Sequence, residues 1–157
     1  MEESIMVMEK ARPHLEALSK LAPQLNKATD LYMAELKQIE EQLNRLNLGI
    51  ELELEGTIQK SNSKNKYNDD GEAYGPFHSG WTIGYGKDSR GTWCLIVREY
   101  EVDESSNQWV EEDATPLLQV SRDLRIAAAE KIPDLLKVIE QEVKKKIATL
   151  AKVSDQH

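Results

Sequence analysis

Few side chains in this sequence could act as nucleophiles. There is one cysteine, Cys94, and there are three histidines, His14, His78 and His157. A Cys–His nucleophile would need Cys94 beside His78 and a third group to orient the imidazole. Cys94 lies in the apolar run 92–97, a setting typical of a small buried hydrophobe. We therefore expect an inert core thiol, and a single cysteine excludes an intramolecular disulfide.

Familiar catalytic and metal-binding motifs are absent from the sequence. It has no glycine-rich phosphate loop followed by Lys-Ser/Thr, no Gly-x-Ser-x-Gly turn and no His-Glu-x-x-His pair. The run 68–72 has the composition of a calcium loop. However, with Gly71 at the invariant glycine position, Lys66 and Phe77 stand where the ligands should be acidic. We read this run as a turn, and we predict a non-enzyme with no catalytic residue, no metal and no cofactor.

Carboxylates are concentrated in the middle of the chain. Residues 50–113 contain 14 acidic and 6 basic side chains, so this segment carries as much net charge, −8, as the whole protein. Such a surface repels phosphate backbones and attracts basic partners. One hypothesis is an acidic face that docks a basic protein; the alternative is a solubilising surface compensated by nearby lysines. The residues of the proposed face are Glu51, Glu53, Glu55, Glu99, Glu101, Asp103, Glu104, Glu111, Glu112 and Asp113.

Aromatic residues and glycines are dense in segment 74–86. Aromatic rings supply large, stiff contact areas, and glycines let a backbone or a side chain approach closely. Trp81, Trp93 and Trp109 fall on separate predicted strands and could stack across a sheet, although core packing explains them equally well. The predicted ligand surface consists of Tyr74, Phe77, His78, Trp81, Tyr85, Trp93 and Trp109.

The N-terminal part, residues 1–49, is predicted to be a helical hairpin. Apolar side chains recur at helical spacing over 3–20 and over 24–47, and Ala22-Pro23 is expected to break the chain between them. Gly49 should end the second helix. Its apolar stripe alternates steps of three and four residues, the pattern of a coiled-coil seam. We expect self-association through Tyr32, Leu36, Ile39, Leu43 and Leu46.

Strands are predicted to occupy residues 50–113. Strict alternation of apolar residues and acids begins at Ile50, and strands are expected near 79–86, 92–101 and 108–110, with a long mobile loop over 60–77. In residues 114–157, Ser121 should cap one helix, and Pro133 should either kink that helix or open a new one in its first turn. The predicted fold is a single α+β domain: a helical hairpin, a four-stranded antiparallel meander and C-terminal helices on one sheet face.

The expected function is that of a non-enzymatic protein-interaction or accessory protein that forms a homo-oligomer. One alternative is an acidic inhibitor or decoy of a basic nucleic-acid-handling protein, which includes nucleic-acid mimicry. Another is a small-ligand or nucleotide-binding module. The N-terminus lacks the basic and apolar regions of a secretory signal, and no apolar run is long enough to span a membrane. We therefore expect a cytoplasmic protein that binds neither nucleic acid nor membrane directly.

Overall fold

A long helix, an antiparallel sheet and two further helices follow one another along the chain, so the fold is α+β, as predicted. The computed structural model describes residues 2–155, except for the side chains of residues 2–5, 55 and 57. Two compact units are present, Met1–Ile39 and Glu40–His157. The helices are α1 (Glu2–Leu46), α2 (Arg122–Ala129) and α3 (Ile132–Asp155), with a short 3₁₀ turn at Leu117–Gln119. The strands are β1 (Leu52–Ile58), β2 (Lys64–Tyr67), β3 (Ala73–Lys87), β4 (Trp93–Asp103), β5 (Gln108–Glu111) and β6 (Thr115–Pro116).

The N-terminal part is one continuous helix and not the hairpin that Ala22-Pro23 suggested. Pro13 and Pro23 both lie inside α1. Each proline removes one backbone donor, at a cost of about 3 kcal/mol, but it does not forbid a helix that other contacts or neighbouring turns support. The predicted end of the helix is confirmed, since Asn47 and Gly49 both adopt positive φ, at 50° and 66°.

The central element of the sheet is the hairpin of β3 and β4, paired from Phe77 with Asp103 to Lys87 with Trp93. Both β1 and β2 pair with the outer edge of β3, and both β5 and β6 pair with the outer edge of β4. The strand order β1-β3-β4-β5 matches the predicted meander, with two additional short strands.

Segment 60–77 is not the long loop that its polar composition suggested, because β2 and the start of β3 form a hairpin there. All four residues of β2 are exposed. Such a strand has no buried face and therefore shows no alternation of apolar side chains in the sequence. The turn predicted over 68–72 closes this hairpin: Asn68 Oδ1 accepts hydrogen bonds from the backbone nitrogens of Asp70 and Glu72, at 3.0 and 2.8 Å.

Alternation along β3 and β4 defines two sheet faces. Ile83, Leu95 and Val97 lie on the first, here called the core face, and each is at most 1% exposed. Thr82 and Tyr100, at even positions, lie on the second, here called the cleft face. The C-terminal helices pack on the sheet, where both α2 and α3 contact β1.

The predicted Ser121 cap is confirmed, and Pro133 opens a new helix, which was one of its two predicted roles. The Ser121 side chain accepts a hydrogen bond from the Leu124 backbone nitrogen at 3.4 Å, which caps α2. Pro133 lies in the first turn of α3, where a proline costs no helical hydrogen bond, and Asp134 follows it near the positive end of the helix.

The last turns of α1 hold one edge of the sheet by side-chain hydrogen bonds. Asn44 Nδ2 donates to the Trp93 carbonyl at 3.2 Å, and the Leu95 backbone nitrogen donates to Glu40 Oε2 at 3.1 Å. The Tyr85 hydroxyl donates to Asn44 Oδ1. The bonds from Asn44 and Glu40 satisfy the Trp93 carbonyl and the Leu95 backbone nitrogen. Both groups precede the β4 residues that pair with β6.

Candidate functional site

Cys94 and His78 do not form a nucleophilic pair. Cys94 is opposite Gly86 and His78 is opposite Val102, so eight positions of β4 separate them, or roughly 26 Å. Cys94 is buried, and burial together with the charge of Glu40 raises the pKa of its thiol to about 11. The structure thus confirms the buried thiol.

His78 instead belongs to a small polar cluster that joins three segments. Its Nδ1 lies 2.6 Å from Oε1 of Glu104, and the Ser63 hydroxyl donates to the same oxygen at 2.6 Å. These two hydrogen bonds lower the pKa of Glu104, with the Ser63 contact the larger cause. The cluster connects the residue before β2, strand β3 and the turn after β4, which indicates a structural role.

The acidic residues predicted as one docking face are divided between the two sides of the sheet. The odd-numbered acids of β4 are on the same side of the sheet as the core face: Glu99, Glu101 and Asp103. The cleft face carries Glu53 and Glu111. Glu51 is exposed beside Gly86, and Glu112 and Asp113 are exposed after β5. The side chain of Glu55 lies outside the described residues.

Several of these acids are paired within the fold. Lys66 Nζ donates to Glu101 Oε1 at 2.7 Å, and this contact raises the pKa of Lys66. Asp103 accepts hydrogen bonds from Ser105, which lower the pKa of its carboxyl. Self-pairing of this kind reduces the negative potential that a basic partner would meet.

The seven aromatic residues predicted as one ligand surface are divided between the two faces of the sheet. The three tryptophans do not stack on one another. Trp109 lies on the cleft face, whereas Trp81 and Trp93 lie on the core face, six positions apart along β3, or roughly 20 Å. Among the described residues there are four ring pairs: Tyr74 with Phe77 at 5.6 Å edge to face, Tyr85 with Trp93 at 5.4 Å stacked, Tyr100 with Trp109 at 4.9 Å tilted, and Tyr100 with His78 at 6.4 Å edge to face.

A cleft of about 560 Å³ opens on the cleft face. It is bounded on one side by β1, whose register shifts between Leu54 and Ile58 at a bulge. Gly56, in this bulge, has φ of 137°, a conformation that is available essentially to glycine alone. The cleft is lined by Glu53, Leu54, Gly56, Thr82, Tyr100, Trp109 and Glu111.

Arg98 crosses the sheet beside this cleft and links its two edges. Its Nε donates to Glu53 Oε1 of β1 at 2.7 Å, and its Nη1 donates to the Glu112 carbonyl, just after β5, at 3.3 Å. Glu111 Oε2 lies farther away, 4.0 Å from Nε. The guanidinium therefore fixes the distance between the two walls of the cleft.

Tyr100 is the polar side chain whose environment is most unusual. It is 1% exposed, and its hydroxyl has no hydrogen-bond partner among the residues that the structure describes. The ring lies across Gly80: a methyl group at position 80 would be only 2.5 Å from the hydroxyl oxygen. The close approach expected of a strand glycine is confirmed here, and it places the hydroxyl over β3.

Sequence reasoning did not select Arg98, Thr82 or Tyr100 as site residues. The signal that connects Tyr100 to Gly80 is the strand register, and that register is known only from the folded sheet.

The predicted self-association residues differ in accessibility. Leu36 and Leu43 are 2% and 6% exposed in the single chain, so they are not available to a partner, whereas Leu46 is 63% exposed. Tyr32 and Ile39 are half-buried. More large apolar side chains of α1 are exposed before residue 32 than in the predicted segment.

Comparisons of the chain with protein-family models, with curated proteins and with solved structures found no match. Within the part of the chain that the structure describes, no group of three or more His, Cys, Asp or Glu side chains could hold a metal ion. None of the described helices is long and apolar enough to cross a membrane.

Proposed function

We propose that this chain is a non-enzymatic interaction protein that self-associates by forming a coiled coil through the first half of α1. The observation that carries the proposal is an apolar stripe with alternating steps of three and four residues. We call it the exposed seam: Met8, Ala11, Leu15, Leu18, Ala22 and Leu25.

The exposed seam presents large apolar side chains to solvent. Its four large members, Met8, Leu15, Leu18 and Leu25, are 51–58% exposed. Fully burying such a side chain stabilises a protein by about 1.5–3 kcal/mol, so this much exposed apolar surface on one stripe favours association. Both prolines of α1 lie off the seam, where they do not interrupt its packing.

A second copy of the chain suits this seam better than an unrelated partner. The step pattern is regular over two and a half heptads, the repeat by which helices pack in coiled coils, and a second copy of the chain presents the same stripe. Residues 6–31 contain 3 acidic and 4 basic side chains, whereas the whole chain has a net charge of −8. Two copies of this segment therefore meet without the repulsion that the sheet would cause.

Light scattering after size-exclusion chromatography tests the proposal. The unmodified chain should be an oligomer at micromolar concentrations, and Leu25→Glu should shift it to monomer. Gln24→Glu is the matched control, because it introduces the same side chain with one added negative charge at the adjacent, off-seam position. Glutamate is a good helix former, so circular dichroism should show both variants helical. A monomeric unmodified chain, or equal effects of the two variants, would rule out the seam.

The acidic-inhibitor alternative stays a prediction that the contacts do not favour. Within the fold, Arg98 pairs with Glu53, Lys66 with Glu101 and His78 with Glu104. The acidic residues also lie on both faces of the sheet. A surface that imitates nucleic-acid phosphates needs a continuous run of uncompensated charge.

A further inference from the structure

We infer that the cleft between Glu53 and Glu111 binds an organic cation, an ammonium or guanidinium group carried on an alkyl stem. This inference is independent of the coiled coil, since all of its residues belong to the sheet. Three observations support it: the charge of the walls, the exposed indole of Trp109 and the unpartnered hydroxyl of Tyr100.

The walls of the cleft carry more acceptors than donors. Two carboxylates, of Glu53 and Glu111, stand against the single guanidinium of Arg98. Within this triad only one carboxylate oxygen, Glu53 Oε1, is within hydrogen-bond distance of that guanidinium, and the Glu111 oxygen is 4.0 Å from Nε. The carboxylates therefore retain the capacity to accept hydrogen bonds from a cationic donor.

The indole of Trp109 supplies the second element of cation recognition. Trp109 is 56% exposed, although its ring packs against Tyr100 at 4.9 Å. The face of an indole attracts ammonium and guanidinium groups, and it also packs well against methylene groups.

The hydroxyl of Tyr100 is the observation that distinguishes a binding site from an acidic surface. Tyr100 lines the cleft, and its ring reaches across Gly80, so its hydroxyl lies over β3. Buried polar groups in folded proteins nearly always have a hydrogen-bond partner, and this hydroxyl has none among the described residues. A donor nitrogen bound in the cleft would satisfy it.

Other ligand classes fit the cleft less well. An anion would meet two carboxylates, and a bare calcium ion prefers six to eight oxygen ligands without a guanidinium among them. The volume of about 560 Å³ is that of a small-molecule pocket. The cation could come from a free amine or from a lysine or arginine side chain of a protein.

Titration of the full chain with three probes separates these sources: cadaverine, the peptide acetyl-Gly-Lys-Gly-amide, and acetyl-Gly-Gln-Gly-amide as the neutral control. The indole N–H resonance of Trp109, assigned with Trp109→Phe, reports binding at the site itself. We expect the two cationic probes to shift it and the neutral peptide to leave it unchanged. Tighter binding of cadaverine would indicate a free amine, and tighter binding of the lysine peptide a protein side chain. No shift with either cation at millimolar concentration would overturn the inference.

Three variants test the assignment of residues. Glu111→Gln should weaken cation binding about tenfold, because it removes a charge-assisted contact. Glu99→Gln makes the same change on the other face, at a position paired with Trp81, and should leave the affinity within about twofold. Tyr100→Phe should weaken binding severalfold while the protein remains folded. Equal effects of the two glutamine variants, or an unaltered affinity of Tyr100→Phe, would refute this site.

Discussion

Removing one hydroxyl group from each of two buried tyrosines should change the stability of this protein in opposite directions. Tyr100 and Tyr85 are 1% and 3% exposed. They differ in one respect that matters here: the Tyr85 hydroxyl is hydrogen-bonded to Asn44, whereas the Tyr100 hydroxyl has no partner among the described residues. Substitution by phenylalanine deletes the same atom at both sites and keeps the ring.

The expected magnitudes follow from these environments. A buried, unsatisfied polar group costs about 1–3 kcal/mol, so Tyr100→Phe should stabilise the ligand-free protein by about 1 kcal/mol after the small void is allowed for. That corresponds to a rise in Tm of about 2–4 °C for a chain of this length. Tyr85→Phe breaks a hydrogen bond whose partner, Asn44, is accessible to water, so it should destabilise the protein by about 1 kcal/mol.

Urea unfolding followed by circular dichroism measures both effects. The midpoints should move in opposite directions at an unchanged m-value. Measurement at pH 7 keeps Tyr85 protonated, because its burial and the nearby charge of Glu40 raise its pKa above the usual value. If Tyr100→Phe destabilises the protein as much as Tyr85→Phe does, the Tyr100 hydroxyl must be hydrogen-bonded in the folded protein, and the argument for an unpartnered group fails.

Two predictions concern titration. Hydrogen bonds from Ser63 and His78 lower the pKa of Glu104, so its contribution to stability is present above the unfolded pKa of about 4.5 and is lost as the pH falls through the lower, folded value. Glu104→Gln should therefore be less stable than the unmodified chain at pH 6 by a margin that shrinks at pH 3, and a margin independent of pH in urea titrations would contradict this. Burial raises the pKa of Cys94 from 9.0 to about 11, so at pH 8 iodoacetamide should alkylate the folded chain at least about 100-fold more slowly than the urea-unfolded chain. Comparable rates would show that the thiol is accessible.

Local patterns in the sequence predicted those elements whose formation depends on neighbouring residues. The alternation that begins at Ile50 is the strand β1, Ser121 caps α2, and Pro133 lies in the first turn of α3. Each signal arises within a few residues, since a cap or an alternating face is set by the chain around it. Gly49 ended the helix for the same reason.

Predictions that failed were those in which a local signal was opposed by its surroundings. Pro23 suggested a break, yet the helix continues through it with the same apolar stripe on both sides. The segment 60–77 suggested a loop, because the fully exposed strand β2 has no apolar face, and its pairing with β3 is made by the backbone. The acidic residues were predicted to share one surface, but β4 and β5 present them on both sides of the sheet.

Composition and periodicity alone were sufficient to predict an α+β chain with an acidic sheet and an apolar helical stripe. The cleft could not be predicted in this way, because Glu53, Arg98 and Glu111 meet only after four strands have paired in the correct registers. A shift of one residue in any of these pairings would turn the side chains of that strand to the opposite face. The position of Tyr100 over Gly80 has the same origin, since those two residues are twenty positions apart in the chain and directly opposite in the sheet.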